Sequence, residues 1–274
     1  MEVRKGIIRY EGQELHCLKA GNGSRLLLAF HGFHNNAAIF LPLADLLGDR
    51  YTLIALDLPG HGNTRWSLPF FEKKDLMALV QGFRQDKHTD KISLIGYSLG
   101  GRVCLNIIEQ QPDWIEEVFL LASDGLENNI WYSLATQNFW GKRIFRYMCR
   151  NPEAVLRKFE WLRKLKLVDE SRYKFARTKL TDDGVRALLA YVWPVMSHLI
   201  PDRIKVKNCL NRYGIRLHLF SGKYDRIFPP DRSKRFINGL KNAHMHIIDT
   251  GHNFAGRDTM LAVGKIILET AANS

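Results

Sequence analysis

The amino-acid sequence predicts an α/β fold: a mostly parallel sheet with helices on both faces, interrupted by an inserted helical segment. Three observations carry that expectation. Short β-rich runs alternate with helical stretches up to residue 123, a strand-poor stretch follows, and strand-like runs return after residue 215. Strands separated by helices need crossover connections, which make neighbouring strands parallel and bury the sheet on both sides. With 274 residues, 46% hydrophobic and 25% charged, the chain can bury a large core, and its composition excludes a disordered, collagen-like or coiled-coil protein.

The elements follow in order. Val3–Tyr10 and Glu14–Lys19 flank Glu11-Gly12, a hairpin signal. Arg25–His31 (RLLLAFH) is a compact apolar run of the kind buried on both faces. Ala38–Leu47 has a helical pattern, Tyr51–Asp57 (YTLIALD) is a strand and Glu72–Gln85 a helix. Ile92–Tyr97 (ISLIGY), a helix over Leu99–Gln110 and Val118–Ser123 (VFLLAS) bring the strands to six. From Asp124 to Ile215 no strong strand run occurs, and helices such as Asn151–Leu167 and Asp182–Met196 are broken by Gly184, Pro194 and Pro201. Strands Arg216–Ser221 and His244–Asp249 and a helix near Ala255–Ala271 close the chain. The expected organisation is a core of residues 1–123 and 216–274 with an insertion at 124–215.

Charge and aromatic residues concentrate in that insertion. Of the formal net charge of +12, residues 124–215 carry +9, together with Trp131, Trp140, Trp161 and Trp193 out of six tryptophans. Basic charge of this kind suits anionic substrates, nucleic acid or a membrane surface, or simply a solvated helix face. No nucleic-acid-binding motif accompanies it, so a small-molecule substrate is expected and nucleic acid is not. Cys17, Cys104, Cys149 and Cys209 lie far apart with no C-x-x-C, which speaks against a zinc site and a disulfide scaffold. Neither a metal nor another cofactor is expected. Met1–Gly6 lacks the apolar core of a signal peptide, and no apolar stretch is long enough for stable membrane insertion. The expected compartment is the cytoplasm. The sequence does not set an oligomeric state.

Gly96-Tyr97-Ser98-Leu99-Gly100 matches G-x-S-x-G between a buried strand and a helix, the context of a nucleophile elbow. A strand turning sharply into a helix crowds the residues two places either side of the serine, and glycine leaves room there. A serine nucleophile needs a base, and the base an orienting acid. His252 follows the last strand, at the rim where the carboxyl ends of parallel strands converge. His244 and His246, inside or beside that strand, are better placed for packing. Two acids occupy the same rim, Asp225 after Arg216–Ser221 and Asp124 after Val118–Ser123. The backbone N–H groups of Phe33, in His31-Gly32-Phe33 at the end of a strand, and of Leu99 are the candidate oxyanion donors. His31 itself is expected to be structural.

HGF at 31–33, DLPGHG at 57–62, GYSLGG at 96–101, GKYDRIFPP at 222–230 and GHNF at 251–254 occur in this order along the whole core. The chain resembles the α/β-hydrolase family. The resemblance implies an eight-stranded sheet, Ser98 as nucleophile, Asp225 as acid, His252 as base and residues 124–215 as a cap. Serine at 98 argues against the dehalogenase and epoxide-hydrolase branches, which attack with a carboxylate. The activity then expected is that of a serine hydrolase of carboxylesterase or thioesterase type, acting on a small or medium apolar substrate, with an anionic portion as a further expectation. Arg102, four residues after Ser98, also resembles the carboxylate-binding arginine of a menaquinone-pathway lyase, the 2-succinyl-6-hydroxy-2,4-cyclohexadiene-1-carboxylate synthase. A lyase or C–C bond hydrolase using the same three residues is therefore the first alternative, and a silent binding protein the second. Arg102 would hold a carboxylate, or else pair with Glu109 or solvent. Trp131 and Trp140 would line the substrate pocket.

Overall fold

The computed structural model describes residues 2–128, 130–165, 167, 173, 177, 178 and 180–272. Its eight described strands are β1 (Val3–Tyr10), β2 (Gln13–Ala20), β3 (Arg25–Phe30), β4 (Tyr51–Leu56), β5 (Ile92–Tyr97), β6 (Ile115–Leu121), β7 (Arg216–Gly222) and β8 (Ala243–Ile248). They form one sheet in the order β1-β2-β4-β3-β5-β6-β7-β8. The pairs β1–β2 and β2–β4 are antiparallel and every other pair is parallel. Positive φ at both Glu11 (47°) and Gly12 (75°) explains the tight hairpin between β1 and β2, since that turn needs two left-handed residues.

The helices follow from capping as much as from pattern. α1 (Leu41–Leu47) is preceded by a short 3₁₀ turn at Ala37–Phe40, opened by the Asn36 side chain accepting from the Ala38 N–H. The helix expected over 38–47 is thus two pieces, separated near Pro42, which supplies no N–H to continue the first. α2 (Lys73–Asp86) begins with a reciprocal capping box between Glu72 and Asp75. α3 (Leu99–Gln110) is buried from Leu99 to Glu109 and is the central helix on the sheet. β6 ends at Leu121, before Ala122, whose φ of 41° turns the chain out of the strand expected to reach Ser123.

Two compact units emerge. One comprises residues 68–70 and 128–197; the other holds the rest of the chain, including 198–215. The smaller unit contains α4 (Ile130–Gln137), α5 (Phe139–Arg150), α6 (Pro152–Lys164) and α7 (Asp183–Val195), the last two close to the helices expected there. Asp182 caps α7 by accepting from the Val185 N–H, and Pro194 falls in its last turn. α8 (Arg203–Arg212) lies within the stretch expected to be insertion, 124–215, but belongs to the sheet-bearing unit. It buries Val206 and Leu210 and packs against α3, where the Asp202 N–H reaches Glu109 Oε2 at 2.9 Å. α9 (Pro230–Ile237) and α10 (Arg257–Ala272) complete the described helices. One face of the sheet carries a continuous core in which Leu27, Ile95, Phe119 and Phe220 meet Phe40, Leu43, Met260 and Val263.

Candidate active site

The site begins with a strained backbone. Ser98, between β5 and α3, has φ 50° and ψ −112°, a conformation that costs on the order of 1–3 kcal/mol for a non-glycine residue. Its peptide groups hold it there. The Ser98 N–H donates to the Leu121 carbonyl at 2.9 Å, and its own carbonyl accepts from the Gly101 and Asp124 N–H groups at 2.9 Å each. A Cβ at Gly96 would lie 2.6 Å from the carbonyl carbon of Gly100 and 2.7 Å from Cys104 Sγ, and a Cβ at Gly100 would run into the Phe30 carbonyl. The two flanking glycines are therefore steric requirements of the turn.

Three side chains from three strand ends meet. His252 Nε2 lies 3.3 Å from Ser98 Oγ, and His252 Nδ1 lies 2.8 Å from Asp225 Oδ2. A carboxylate only accepts, so Nδ1 carries the proton and Nε2 turns its lone pair toward the hydroxyl. Asp225 is fully buried along its side chain, and its other oxygen accepts from the Ile227 and Phe228 N–H groups at 2.8 and 2.9 Å. Those two bonds fix the carboxylate plane, so only Oδ2 is left for the imidazole. The arrangement can move a proton from Ser98 Oγ to His252 while the carboxylate balances the charge that forms on the ring.

The alpha/beta hydrolase fold model matches residues 25–256. The chain belongs to the α/β-hydrolase family. Relatives of this α/β-hydrolase include the uncharacterized hydrolase YugF of Bacillus subtilis (strain 168), 27% identical over 237 residues, or 84% of each chain. A second, the 2-(acetamidomethylene)succinate hydrolase of Mesorhizobium japonicum, is 34% identical over 104 residues, covering only 38% of this chain and 37% of the relative. Among solved structures, a thermophilic esterase from Thermogutta terrifontis superposes with a TM-score of 0.68 at 18% identity, over 98% of both chains. At that identity the likeness concerns the fold.

The remaining predicted residues of this hydrolase fall into distinct places. Asp124, the rival acid, is bound elsewhere: its Oδ1 accepts from the Gly125 N–H at 2.8 Å and its Oδ2 lies 3.5 Å from Arg102 Nε. Arg102 is buried and turned to Asp124. Glu109, weighed as its partner, instead takes the Lys73 ammonium at 2.9 Å. Leu99 is the first residue of α3, where an N–H has no intrahelical acceptor. Phe33 follows Gly32, at which a Cβ would lie 2.9 Å from the Tyr97 ring and 3.2 Å from Ser98 Cβ, so the loop crosses directly beside the elbow. Trp140 stands 70% exposed, and the Trp131 side chain lies outside the described residues.

Supporting contacts surround this site that no spacing rule revealed. The Tyr97 hydroxyl donates to the His252 carbonyl at 3.0 Å, tying the histidine loop to the strand that carries the serine. His31 donates from Nδ1 to the Gly32 carbonyl at 2.8 Å and accepts from the Leu58 N–H at 3.0 Å, as a structural histidine should. Complete burial, with His61 beside it, pushes its pKa down to about 3, so it stays neutral. Asp57, in the DLPGHG motif, accepts from the Ala37 and Asn63 N–H groups at 2.7 and 3.0 Å and orders the neighbouring loops. His244 and His246 stack with His218, whose Nδ1 lies 3.2 Å from His246 Nε2; burial, then the two neighbouring imidazoles, push His218 down to about 4.

Proposed function

We propose that this α/β-hydrolase is a serine hydrolase that cleaves a carboxylic ester or thioester through an acyl-enzyme on Ser98. The continuous chain Ser98 Oγ–His252–Asp225, with separations of 3.3 and 2.8 Å, is the observation that carries the reading. In the first step the Ser98 oxygen attacks the acyl carbon and its proton passes to His252 Nε2. The Phe33 and Leu99 N–H groups hold the oxyanion. His252 then delivers the proton to the departing alcohol or thiol, leaving the acyl group on Ser98. Water, deprotonated by the same imidazole, attacks the acyl carbon; the acyl–Oγ bond breaks, His252 returns the proton to Ser98 Oγ, and the acid is freed.

Support for an ester or thioester comes from a serine, and not a carboxylate, at the elbow and from membership of the α/β-hydrolase family. The lyase alternative needs Arg102 to hold a substrate carboxylate, and its burial against Asp124 disfavours that. A finer expectation, a substrate with an apolar body and an anionic part, rests on the +9 carried by residues 124–215. The test is a panel of p-nitrophenyl esters, neutral and anionic, read as kcat/KM at low and high salt, alongside fluorophosphonate labelling. Labelled protein that turns over esters supports the reading. Absence of labelling with no turnover would return it to a binding protein. An anionic ester favoured only at low salt would mark electrostatic steering.

A further inference from the structure

The smaller unit presents a surface that the hydrolytic reading leaves unused. The one buried side chain of α5 is Phe145, stacked on Trp193 with centroids 5.1 Å apart. The opposite side of the helix is apolar yet open to solvent. Trp140, Ile144 and Tyr147 recur at i, i+4 and i+7 and therefore share one side, and they are 70%, 59% and 51% exposed. Soluble proteins seldom leave a contiguous apolar stripe in water without a use for it.

A second stripe runs alongside. Arg143, Arg146 and Arg150 share a neighbouring side at spacings of three, four and seven, and all three are exposed. No Asp or Glu occurs between Glu127 and Glu153, so nothing within that stretch offsets these charges. An apolar strip beside an arginine strip, on a helix lying flat on the surface, is the arrangement that buries aromatic side chains among acyl chains while guanidinium groups meet phosphates. A solvated face would not need the tryptophan. A soluble polyanion such as nucleic acid or an acidic protein would satisfy the arginines but leave Trp140 and Ile144 in water.

We propose that α5 is a peripheral docking helix for an anionic lipid bilayer, with Trp140, Ile144 and Tyr147 entering the interface and Arg143, Arg146 and Arg150 holding lipid phosphates. Contact is at the surface only, in keeping with the finding that no described helix is long and apolar enough to cross a membrane. Docking is independent of the Ser98 chemistry.

The test is co-sedimentation of the full chain with large unilamellar vesicles, either phosphatidylcholine alone or equal parts phosphatidylcholine and phosphatidylglycerol. Binding is expected to the anionic vesicles, to weaken with salt, and to be at least about fivefold weaker on neutral ones. Arg143→Gln/Arg146→Gln should lose about fivefold per arginine, and Trp140→Ser/Ile144→Ser on the order of tenfold or more. All four positions are exposed, so circular dichroism should match the parent; either pair alone still decides the matter if the other fails to fold. Ser98→Ala should bind vesicles as the parent does, which separates this result from the fate of the hydrolytic reading. No binding to anionic vesicles at low salt, or parent-like binding by either pair that folds, overturns the proposal. Retention on heparin that Trp140→Ser/Ile144→Ser leaves intact, without vesicle binding, also overturns it and assigns the arginines to a soluble polyanion.

Discussion

Asp225→Asn should remove most of the activity while leaving the fold in place, and the hydrogen bonds say how. Oδ1 of Asp225 accepts from two backbone N–H groups, Ile227 at 2.8 Å and Phe228 at 2.9 Å. An asparagine must keep its carbonyl oxygen there, because an amide NH₂ cannot accept. The NH₂ then faces His252 Nδ1, which has to accept, and the ring proton moves to Nε2. Nε2 lies 3.3 Å from Ser98 Oγ, so the group meant to take the serine proton would offer one instead. In a well-studied triad that change costs about 10⁴ in kcat, equivalent to about 5.4 kcal/mol of barrier. Asp124→Asn is the control. Its amide can still accept from the Gly125 N–H but no longer neutralises Arg102, so stability should fall on the order of 1–3 kcal/mol with kcat within about tenfold of the parent. Both variants are assayed for kcat on a short-chain p-nitrophenyl ester and for thermal midpoint. A crippled Asp124→Asn beside an active Asp225→Asn would refute the assignment of the acid.

Ser98→Ala should abolish fluorophosphonate labelling and keep the parent's melting curve, and labelling that persists would locate the nucleophile elsewhere. Gly100→Ala should cost about 3 kcal/mol or more, because the new Cβ collides with the Phe30 carbonyl; a parent-like urea midpoint would show that the elbow relaxes. Stability should also fall with acid. His31 and His218 are buried and lowered to about 3 and about 4, against 6.5 for a free imidazole. Between those values the unfolded chain binds the extra protons, so stability is full above about pH 6.5 and declines below it. The loss at pH 5 is about 2 kcal/mol for each histidine, and equal urea midpoints at pH 7 and pH 5 would contradict it.

What the sequence made legible depended on whether a residue's task leaves a local trace. Strands β3 to β7 were visible because burial on both faces demands unbroken apolar runs; Ser98 and Asp225 were legible because each follows the carboxyl end of such a run, and His252 because it follows β8, the last and only partly buried strand. Tyr97 left none: the residue between glycine and serine in the elbow is unconstrained by the turn, and its bond to the His252 carbonyl joins positions 155 apart. Arg102 and Glu109 sit on one helix and invite pairing, yet Asp124 and Lys73 arrive from other elements and take them. The polar helix Arg203–Arg212 looks like its helical neighbours in composition, and only its contacts with α3 and Glu109 place it with the sheet.

The aromatic residues of the inserted segment show where pattern alone runs out. Amphipathic periodicity states that a helix has an apolar side, not that this side faces the interior. In α5 the interior receives Phe145, and the broader apolar side, with Trp140, Ile144 and Tyr147, faces outward. An expectation that Trp140 lines a pocket and a proposal that it enters a bilayer start from the same concentration of basic and aromatic residues. They differ in one quantity, the 70% exposure of that indole, which no sequence records. If the exposed stripe does serve a lipid surface, the basic excess of the segment has a local use at the phosphates. An ionic-strength effect on soluble esters would then have to be measured without vesicles, so that steering of substrate and docking of α5 are not read as one.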